Sequence, residues 1–368
     1  MKLEHALPLP GGATPPSAPN ISFFEFWPDW AFYTPVVAHW LLCAIRYRGA
    51  LLPTAANPRI TSGGLCGESK CAILDQVEGS ARALIAPYGA ITTDPRDPAA
   101  DLPAAEAAMA AAGITYPVVV KPDIGCNGTG VRLIQDAPAL AAYFAAFPRS
   151  AGVVVQEFVA DPGEAGIFYI RAPGEPVGRI SSVTLKHPAT VTGDGVRSLR
   201  TLITADPRHG RLSWLYFPHL GARLDTVPAL GERVPLVFVG NHCKGSVFEN
   251  GAHLVTPALT AAIERLARAL PDFHFGRFDL RYANAASLAR GEAFRVIEIN
   301  GAGSEATHVW DPATRLVDAW RAQFEHYGAA FRIGAANRAR GARPTGLLEL
   351  WRLWRTQKRL MAAYPAHD

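Results

Sequence analysis

An α+β fold is what this sequence predicts, and three features predict it. Tyr116-Pro-Val-Val-Val-Lys121 reads as a buried strand, turns through Gly125-Cys-Asn-Gly128-Thr-Gly130, and returns as a second strand in Val131-Arg-Leu-Ile134. Residues 273–282 and 294–300 read as strands with side chains on alternate faces, and the 283–293 connection is short enough for an antiparallel pair. Between such strands lie helices that open on cap signals, Asp136-Ala-Pro138 and Thr256-Pro257.

In chain order, residues 1–20 are rich in proline, glycine and alanine and read as disordered. From Trp27 to about Leu52 the chain looks helical in part, and 53–67, punctuated by Asn57-Pro58 and Gly63-Gly64, reads as a loop. Residues 68–86 have helical spacing. Asp101-Leu-Pro103 opens a helix that Gly113 stops, and the Asp136 helix runs to Phe147. Strands follow at 152–158, 165–171 and 177–186. Gly193-Asp194-Gly195 opens a helix through Leu202, and 205–250 is less regular. The helix begun at Thr256 runs to Leu270, ahead of the final strand pair. No internal repeat is visible.

At 368 residues the chain is long enough for two or three domains or subdomains with ample core. Its 49% hydrophobic and 18% charged content reads as soluble and globular. The opening Met-Lys-Leu-Glu-His has an acid and no apolar run, against a secretory signal. The most apolar window, 30–45, holds Pro35 and His39 and falls short of the ~20 residues of a membrane span. Five cysteines, odd in number and without a Cys-x-x-Cys pair, favour reduced thiols and a cytoplasmic location. His242-Cys243 has no second pair to complete a metal corner.

The net charge of +4 is local. From Arg338 onward there are seven basic and two acidic residues, leaving 29 basic against 30 acidic elsewhere, so no basic face argues for nucleic acid. Lysine is scarce, six residues against thirty arginines. A lysine ending a buried strand is therefore a hint of a compact point charge, which favours Lys121 and Lys70.

The 116–134 unit sets one fixed positive charge beside several free backbone amides. Glycines let a chain approach phosphate oxygens closely, although a tight hairpin would use the same residues. No Gly-Lys-Ser/Thr follows, so it is not a Walker A loop, and the strand that follows excludes a dinucleotide fingerprint. In 276–280, Arg277 and Asp279 share one strand face; in 296–300, Glu298 and Asn300 share one, with Ile297 and Ile299 pointing away. Paired, these strands gather Asp279, Glu298 and Asn300 into hard oxygen ligands of the kind magnesium takes. A solvated polar face on an edge hairpin is the bland alternative.

Lys121, the glycine loop, Gln156-Glu157-Phe158-Val159 and the acidic hairpin, in this order, resemble the ATP-grasp superfamily, in particular its D-alanine–D-alanine ligase-like carboxylate–amine ligases. The resemblance spans roughly 66–315, and Gly193-Asp194-Gly195 also looks like a segment of cyanophycin synthetase. It implies two α+β subdomains clamping ATP: 66–160 with the lysines and glycine loop, and 161–335 with the metal. These stand between a short atypical N-terminal region (1–65) and a basic amphipathic tail (336–368). It implies ATP and Mg2+ as cofactors, with two ions and Mn2+ able to substitute.

By the same resemblance Lys70 and Lys121 meet the α/β phosphates, and Gly125, Gly128, Thr129 and Gly130 form the lid over them. Gln156, Glu157, Phe158 and Val159 make the adenine segment, with Glu164 toward the ribose. Lys186 is a looser match for a further phosphate contact, a surface lysine at a strand end being the alternative. Asp279, Glu298 and Asn300 become the metal ligands. Arg277 becomes the catalytic arginine of the acyl-phosphate step. Backbone amides around Gly301 and Gly303 become oxyanion donors, one such donor being worth roughly 3 kcal/mol. The sequence departs from the family before Lys70, in 205–250, and in Gly301-Ala-Gly303-Ser-Glu-Ala-Thr-His308 after the hairpin.

The reaction implied is ATP-dependent amide or peptide bond formation between a small-molecule carboxylate and an amine, with an amino-acid-like substrate and release of ADP and phosphate. A protein-modifying amino-acid ligase and a non-catalytic ATP-binding module are the alternatives. In the tail, Leu347, Leu350, Trp351 and Trp354 share a helical face, with Arg352, Arg355 and Arg359 around another. Packing on the protein itself or on a partner subunit, as in a homo-oligomer, is the main expectation for that face; contact with an anionic membrane surface is the lesser one.

Overall fold

The structure, a computed structural model, describes residues 21–365; the disorder expected for 1–20 lies outside the described residues. Helix α1 (Asp29–Arg46) carries an acid in its first turn and an arginine in its last, both suited to the helix dipole. Helix α2 (Lys70–Leu74) is capped by Ser69, whose hydroxyl accepts the Ala72 amide. The helix expected over 68–86 is interrupted: a tight 3-10 turn follows at Gly79–Leu84, after Gly79 at φ 62°. Its apparent period arose because Ile73, Val77, Ala81 and Ile85 all reach one core.

The smaller layer contains β1 (Tyr88–Thr92), α3 (Asp101–Ala112), β2 (Val118–Pro122), β3 (Arg132–Ile134), α4 (Ala137–Ala146) and β4 (Gly152–Glu157). Its antiparallel sheet has the order β1-β4-β2-β3. Val118, Val120, Val153 and Val155 meet Met109 of α3 and Leu140 and Phe144 of α4 in one core. Asp136 caps α4 and Gly113, at φ 69°, ends α3, as their sequences predict. Strand β1 was not anticipated. Its Gly89 lies where a Cβ would stand 2.8 Å from Ala108 Cβ, so close packing on α3 removed the side chain that would have signalled a strand.

The larger layer contains β5 (Gly163–Ile170), β6 (Arg179–His187), β7 (Thr190–Thr192), α5 (Leu199–Ala205), α6 (Ser213–Leu220), β8 (Arg233–Pro235), β9 (Val247–Asn250), α7 (Pro257–Arg268), β10 (Phe275–Tyr282), α8 (Ala285–Ala289) and β11 (Phe294–Asn300). Its main sheet is antiparallel in the order β11-β10-β5-β6-β9. The expected helix start at Gly193 is corrected: Asp194 Oδ1 accepts the Val196 and Arg197 amides in a turn, and α5 starts only after Ser198. The irregular 205–250 stretch makes its own small core with β7, α5 and β8 through Leu202, Ile203, Tyr216 and Val234.

One face of the main sheet packs on α7 and residues 73–85, so that stretch, expected with the smaller subdomain, shares the larger core. The other face meets α9 (Leu316–Ala339) only at its Phe168, Ile170 and Phe275 end. The rest of that face is left for a cleft against the smaller layer. The sequence did not announce α9, because Phe331 and Ile333 are the only large aliphatic or aromatic hydrocarbon side chains it buries, the rest of its buried face being Gln323, His326, Asn337 and small alanine and glycine residues. Helix α10 (Leu347–Ala363) closes the described chain. Among the described residues no helix is long and apolar enough to cross a membrane.

Candidate active site

A cleft of about 710 Å³ opens between the two layers. Strand alternation points Val118 and Val120 of β2 into the small core, leaving Val119 and Lys121 to line the cleft. Lys121 is buried, and its ammonium donates to Gln156 Oε1 on β4 and to the Ile297 carbonyl on β11, both at 2.8 Å. It thus joins the two layers. Burial pushes its pKa down to about 8, against the pull of Glu298. Lys70 arrives from α2, whose first turn is tied to the end of β2: the Lys70 amide donates to the Asp123 carbonyl at 3.1 Å, and the Cys71 amide to Asp123 Oδ1 at 2.9 Å. Its Nζ donates to the Gly125 carbonyl at 2.6 Å and lies 3.6 Å from Glu298 Oε1.

Opposite, β10 and β11 pair Arg277 with Asn300 and Asp279 with Glu298, and all four line the cleft. Arg277 Nε and Nη2 grip Asp279 in a fork at 3.0–3.2 Å, while Nη1 donates to the Glu305 carbonyl at 3.0 Å. Lys186 bridges Asp279 Oδ1 at 2.9 Å and Glu164 Oε1 at 3.0 Å, and Asn300 Nδ2 donates to Asp279 Oδ2 at 3.0 Å. Burial alone would raise the Asp279 pKa and lower that of Lys186. The mutual attraction outweighs it, so the carboxylate is held low and the ammonium high. Lys186 is therefore a buried part of the site and not a surface lysine.

One expectation about this hairpin is corrected. A β-bulge shifts the register between Asp279 and Leu280, so Leu280 faces Val296, and Ile297 is left between the paired positions. Ile297 lines the cleft instead of pointing away, and the bulge aims its carbonyl at Lys121.

Gly125, Gly128 and Thr129 of the loop line the cleft, as do Gln156, Glu157, Phe158, Val159 and Glu164. The loop is held from outside. Lys244 Nζ donates to the Gly128 carbonyl at 2.9 Å, and a Cβ on Gly128 would stand 2.5 Å from Val239 Cγ1. Gly130 does not line the cleft; at φ 72° it packs on Pro122 and Tyr364, and its carbonyl accepts the Tyr143 hydroxyl at 2.8 Å. Gly301 is also outside the cleft, in a turn against Gly63 and Gly64. The Ala302 and Gly303 amides donate to the Gly63 and Gly64 carbonyls at 3.0 and 2.6 Å. The Gly303 amide is therefore committed to backbone and Gly301 lies outside the cleft, so the oxyanion role expected of them finds no donor there.

Two groups went unanticipated. Lys244 is buried, with its pKa pushed down to about 8 by desolvation; the scarcity of lysine was the signal that could have marked it. Glu68 lines the cleft with one carboxylate oxygen buried and unpartnered, and burial raises its pKa, helped slightly by Glu298.

Donor chemistry in the hairpin suits a hard cation: two carboxylates and an amide oxygen, with Glu298 partly open 3.6 Å from Lys70 and Asp279 already engaged by Arg277, Lys186 and Asn300. Among the described residues there is no cluster of three or more His, Cys, Asp or Glu poised to bind a metal, so the fit rests on Asn300 as third ligand and on oxygens of a bound substrate.

No protein-family model matches this chain, and no curated protein matches it. Among solved structures it is similar to a bifunctional glutathione synthetase from Pasteurella multocida, at 17% identity and TM-score 0.36 over 70% of this chain and 36% of that one. It is similar to the D-Ala:D-Ser ligase VanG from Enterococcus faecalis, at 14% and 0.39 over 73% and 64% of the two chains. It is also similar to a D-alanine–D-alanine ligase from Bacillus anthracis, at 14% and 0.40 over 77% and 71%. The chain spans about a third of the length of the glutathione synthetase.

Proposed function

We propose that this chain is an ATP-dependent carboxylate–amine ligase that forms an amide bond through an acyl phosphate. One observation carries the reading: side chains at 70, 121, 156, 186, 277, 279, 298 and 300, scattered over the sequence, line a single cleft. Lys70 and Lys121 then meet the phosphates, the 125–130 loop covers them, and 156–159 takes the base with Glu164 near the ribose. Asp279, Glu298 and Asn300 hold Mg2+, which would neutralise phosphate charge.

A substrate carboxylate oxygen attacks the γ-phosphorus and ADP leaves. The amine nitrogen then attacks the acyl carbon, the acyl–oxygen bond breaks, phosphate departs and the amine loses a proton. Carboxylates are poor acyl donors, and the phosphate supplies the leaving group. Phosphoryl transfer needs alignment and charge neutralisation above all, which Arg277 and the lysines provide from fixed positions. Lys121 and Arg277 already make hydrogen bonds across or along the cleft, so their geometry costs little to organise.

The far end of the cleft is lined by Glu25, Asp29, Glu305 and aromatic rings, not by a basic groove, which favours small molecules over a polypeptide acceptor. Five unpaired cysteines support a reducing, cytoplasmic setting. The test is a screen of acid–amine pairs for ADP release, with mass spectrometry of the products. Pair-dependent ADP release with a matching amide is the expected result. ATP binding without ADP release from any pair would leave a non-catalytic module.

A further inference from the structure

Two of the three stretches that depart from the family pattern, before Lys70 and after Asn300, meet at that far end. Tyr33 of α1 donates its hydroxyl to Glu305 Oε1 at 2.9 Å, Trp310 Nε1 donates to Oε2 at 2.9 Å, and the Gln323 amide of α9 also reaches Oε1. All three donors are neutral, so they orient the carboxylate without cancelling its charge. Arg277 offers Glu305 only a bond to its backbone carbonyl, its other nitrogens being committed to Asp279. Glu25 differs: it is ion-paired with buried Arg208, and His242 Nε2 lies 2.8 Å from its Oε1.

The surrounding wall is aromatic. Trp27, Tyr33, Trp310 and Tyr327 line the cleft there, and the His242 ring stacks on Trp310 at 5.0 Å. A fixed anion among π-faces attracts an organic cation by two additive routes, a charge-assisted hydrogen bond and cation–π contact. The loop that carries Glu305 is braced as well. His326, buried and kept neutral with its pKa pushed down to about 3 by desolvation, shares a 3.0 Å hydrogen bond with the Ser304 carbonyl.

We propose that Glu305 is the specificity-determining anchor for a primary ammonium group bound at the substrate end of the cleft. An ammonium held there stays protonated and cannot act as the nucleophile. On the ligase reading, it therefore belongs to the acyl donor, whose carboxylate faces Arg277, and the attacking amine enters separately. The donor assignment rests on that reading; the ammonium preference does not.

The test is calorimetry on the full chain with two near-isosteric probes, alaninamide, which carries an ammonium, and lactamide, which carries a hydroxyl in its place. A separate titration with a non-hydrolysable ATP analogue reports on the nucleotide site, so failure of the ligase reading shows up independently. Alaninamide is expected to bind at least about tenfold more tightly, the scale of one charge-assisted hydrogen bond. Glu305→Gln removes the preference, and Asp29→Asn, at an exposed acid of the same end, keeps it. Equal binding of the two probes by the wild type, no binding of either, or a preference surviving in folded Glu305→Gln would overturn the proposal. If Glu305→Gln does not fold, the wild-type pair and Asp29→Asn decide.

Discussion

At one end of the cleft Lys70, Lys121, Lys186 and Arg277 face Asp279 and Glu298; at the other, Glu25, Asp29 and Glu305 stand among tryptophan and tyrosine rings. The first end is built from short local segments, a strand end, a glycine turn and a hairpin, each carrying its own chemistry. The second is assembled from pieces of chain that meet only in the fold, as Tyr33 meets Glu305 and Arg208 meets Glu25. The difference separates two jobs. Glu298 at the first end is lightly held; at the second, Glu25 is locked into the architecture by buried Arg208, while Glu305 is oriented by neutral donors.

The sharpest test of that contrast pairs two kinds of substitution. Lys121→Ala removes a cation proposed to meet the phosphates and Glu298→Gln a ligand proposed to hold Mg2+, and each is expected to lower kcat by roughly 10²–10³-fold or more. Glu298→Gln should do so with its urea midpoint unchanged. Arg208→Met does the reverse: it strands Glu25, whose side chain is 1% exposed, without its buried cation. A cost of about 3–5 kcal/mol in unfolding free energy is expected. Wild-type turnover in both cleft variants, or an unchanged urea curve for Arg208→Met, would erase the distinction.

The same contrast explains what was legible in the sequence. Lys121, the glycine turn and the 277–300 hairpin were readable because neighbours in sequence fix which way each side chain points. Ile297 was misread because a bulge adds a residue that period-two counting cannot see. Gly301 and Gly303 were misread for a different reason: glycine-rich turns look alike whether their amides face a ligand or, as here, the Gly63–Gly64 turn. Glu305 and the whole of α9 carry no local signal, since their meaning depends on partners far away in the chain. The loop of 205–250, silent in the sequence, supplies Lys244 and Val239 to hold the glycine turn.

A proton count sharpens the comparison at a smaller scale. Burial leaves the Lys121 pKa at about 8 without nucleotide, and phosphate binding favours the charged form. Above about pH 8, ATP binding should therefore take up a proton, and affinity should fall with a slope approaching tenfold per pH unit. Stability moves the opposite way. A folded pKa below the unfolded value means that the unfolded chain binds more protons between about pH 8 and 10.4, so this lysine's destabilising effect, full below that window, fades as pH rises through it. Calorimetry in buffers of different ionisation enthalpy reads the uptake. Because Lys244 also lies near 8, Lys244→Met is the control: uptake that vanishes in that variant belongs to Lys244 and not to Lys121.

The smallest effect concerns α10, which holds the outer side of the glycine turn. Of the apolar stripe Leu347, Leu350, Trp351 and Trp354, Leu347, Trp351 and Trp354 are exposed and do not pack on the protein itself. The helix docks through its other side. Leu353 lies on Gly67, Gln357 Oε1 accepts the Gly67 amide at 2.6 Å, and the Tyr364 hydroxyl just beyond the helix donates to the Ile124 carbonyl at 2.7 Å. Tyr364 also stacks on Phe147 at 5.0 Å, which ties the tail into the small core. Losing the Gln357 bond costs about 1 kcal/mol, so Gln357→Ala should raise the KM for ATP by at most about fivefold. Trp354→Ser, on the exposed face, should leave it unchanged. Sedimentation of the full-length chain with phosphatidylserine vesicles is expected to be negligible. Binding to those vesicles that Trp351→Ser and Trp354→Ser abolish would instead make the exposed face a membrane contact, with the buried face still gripping the glycine turn.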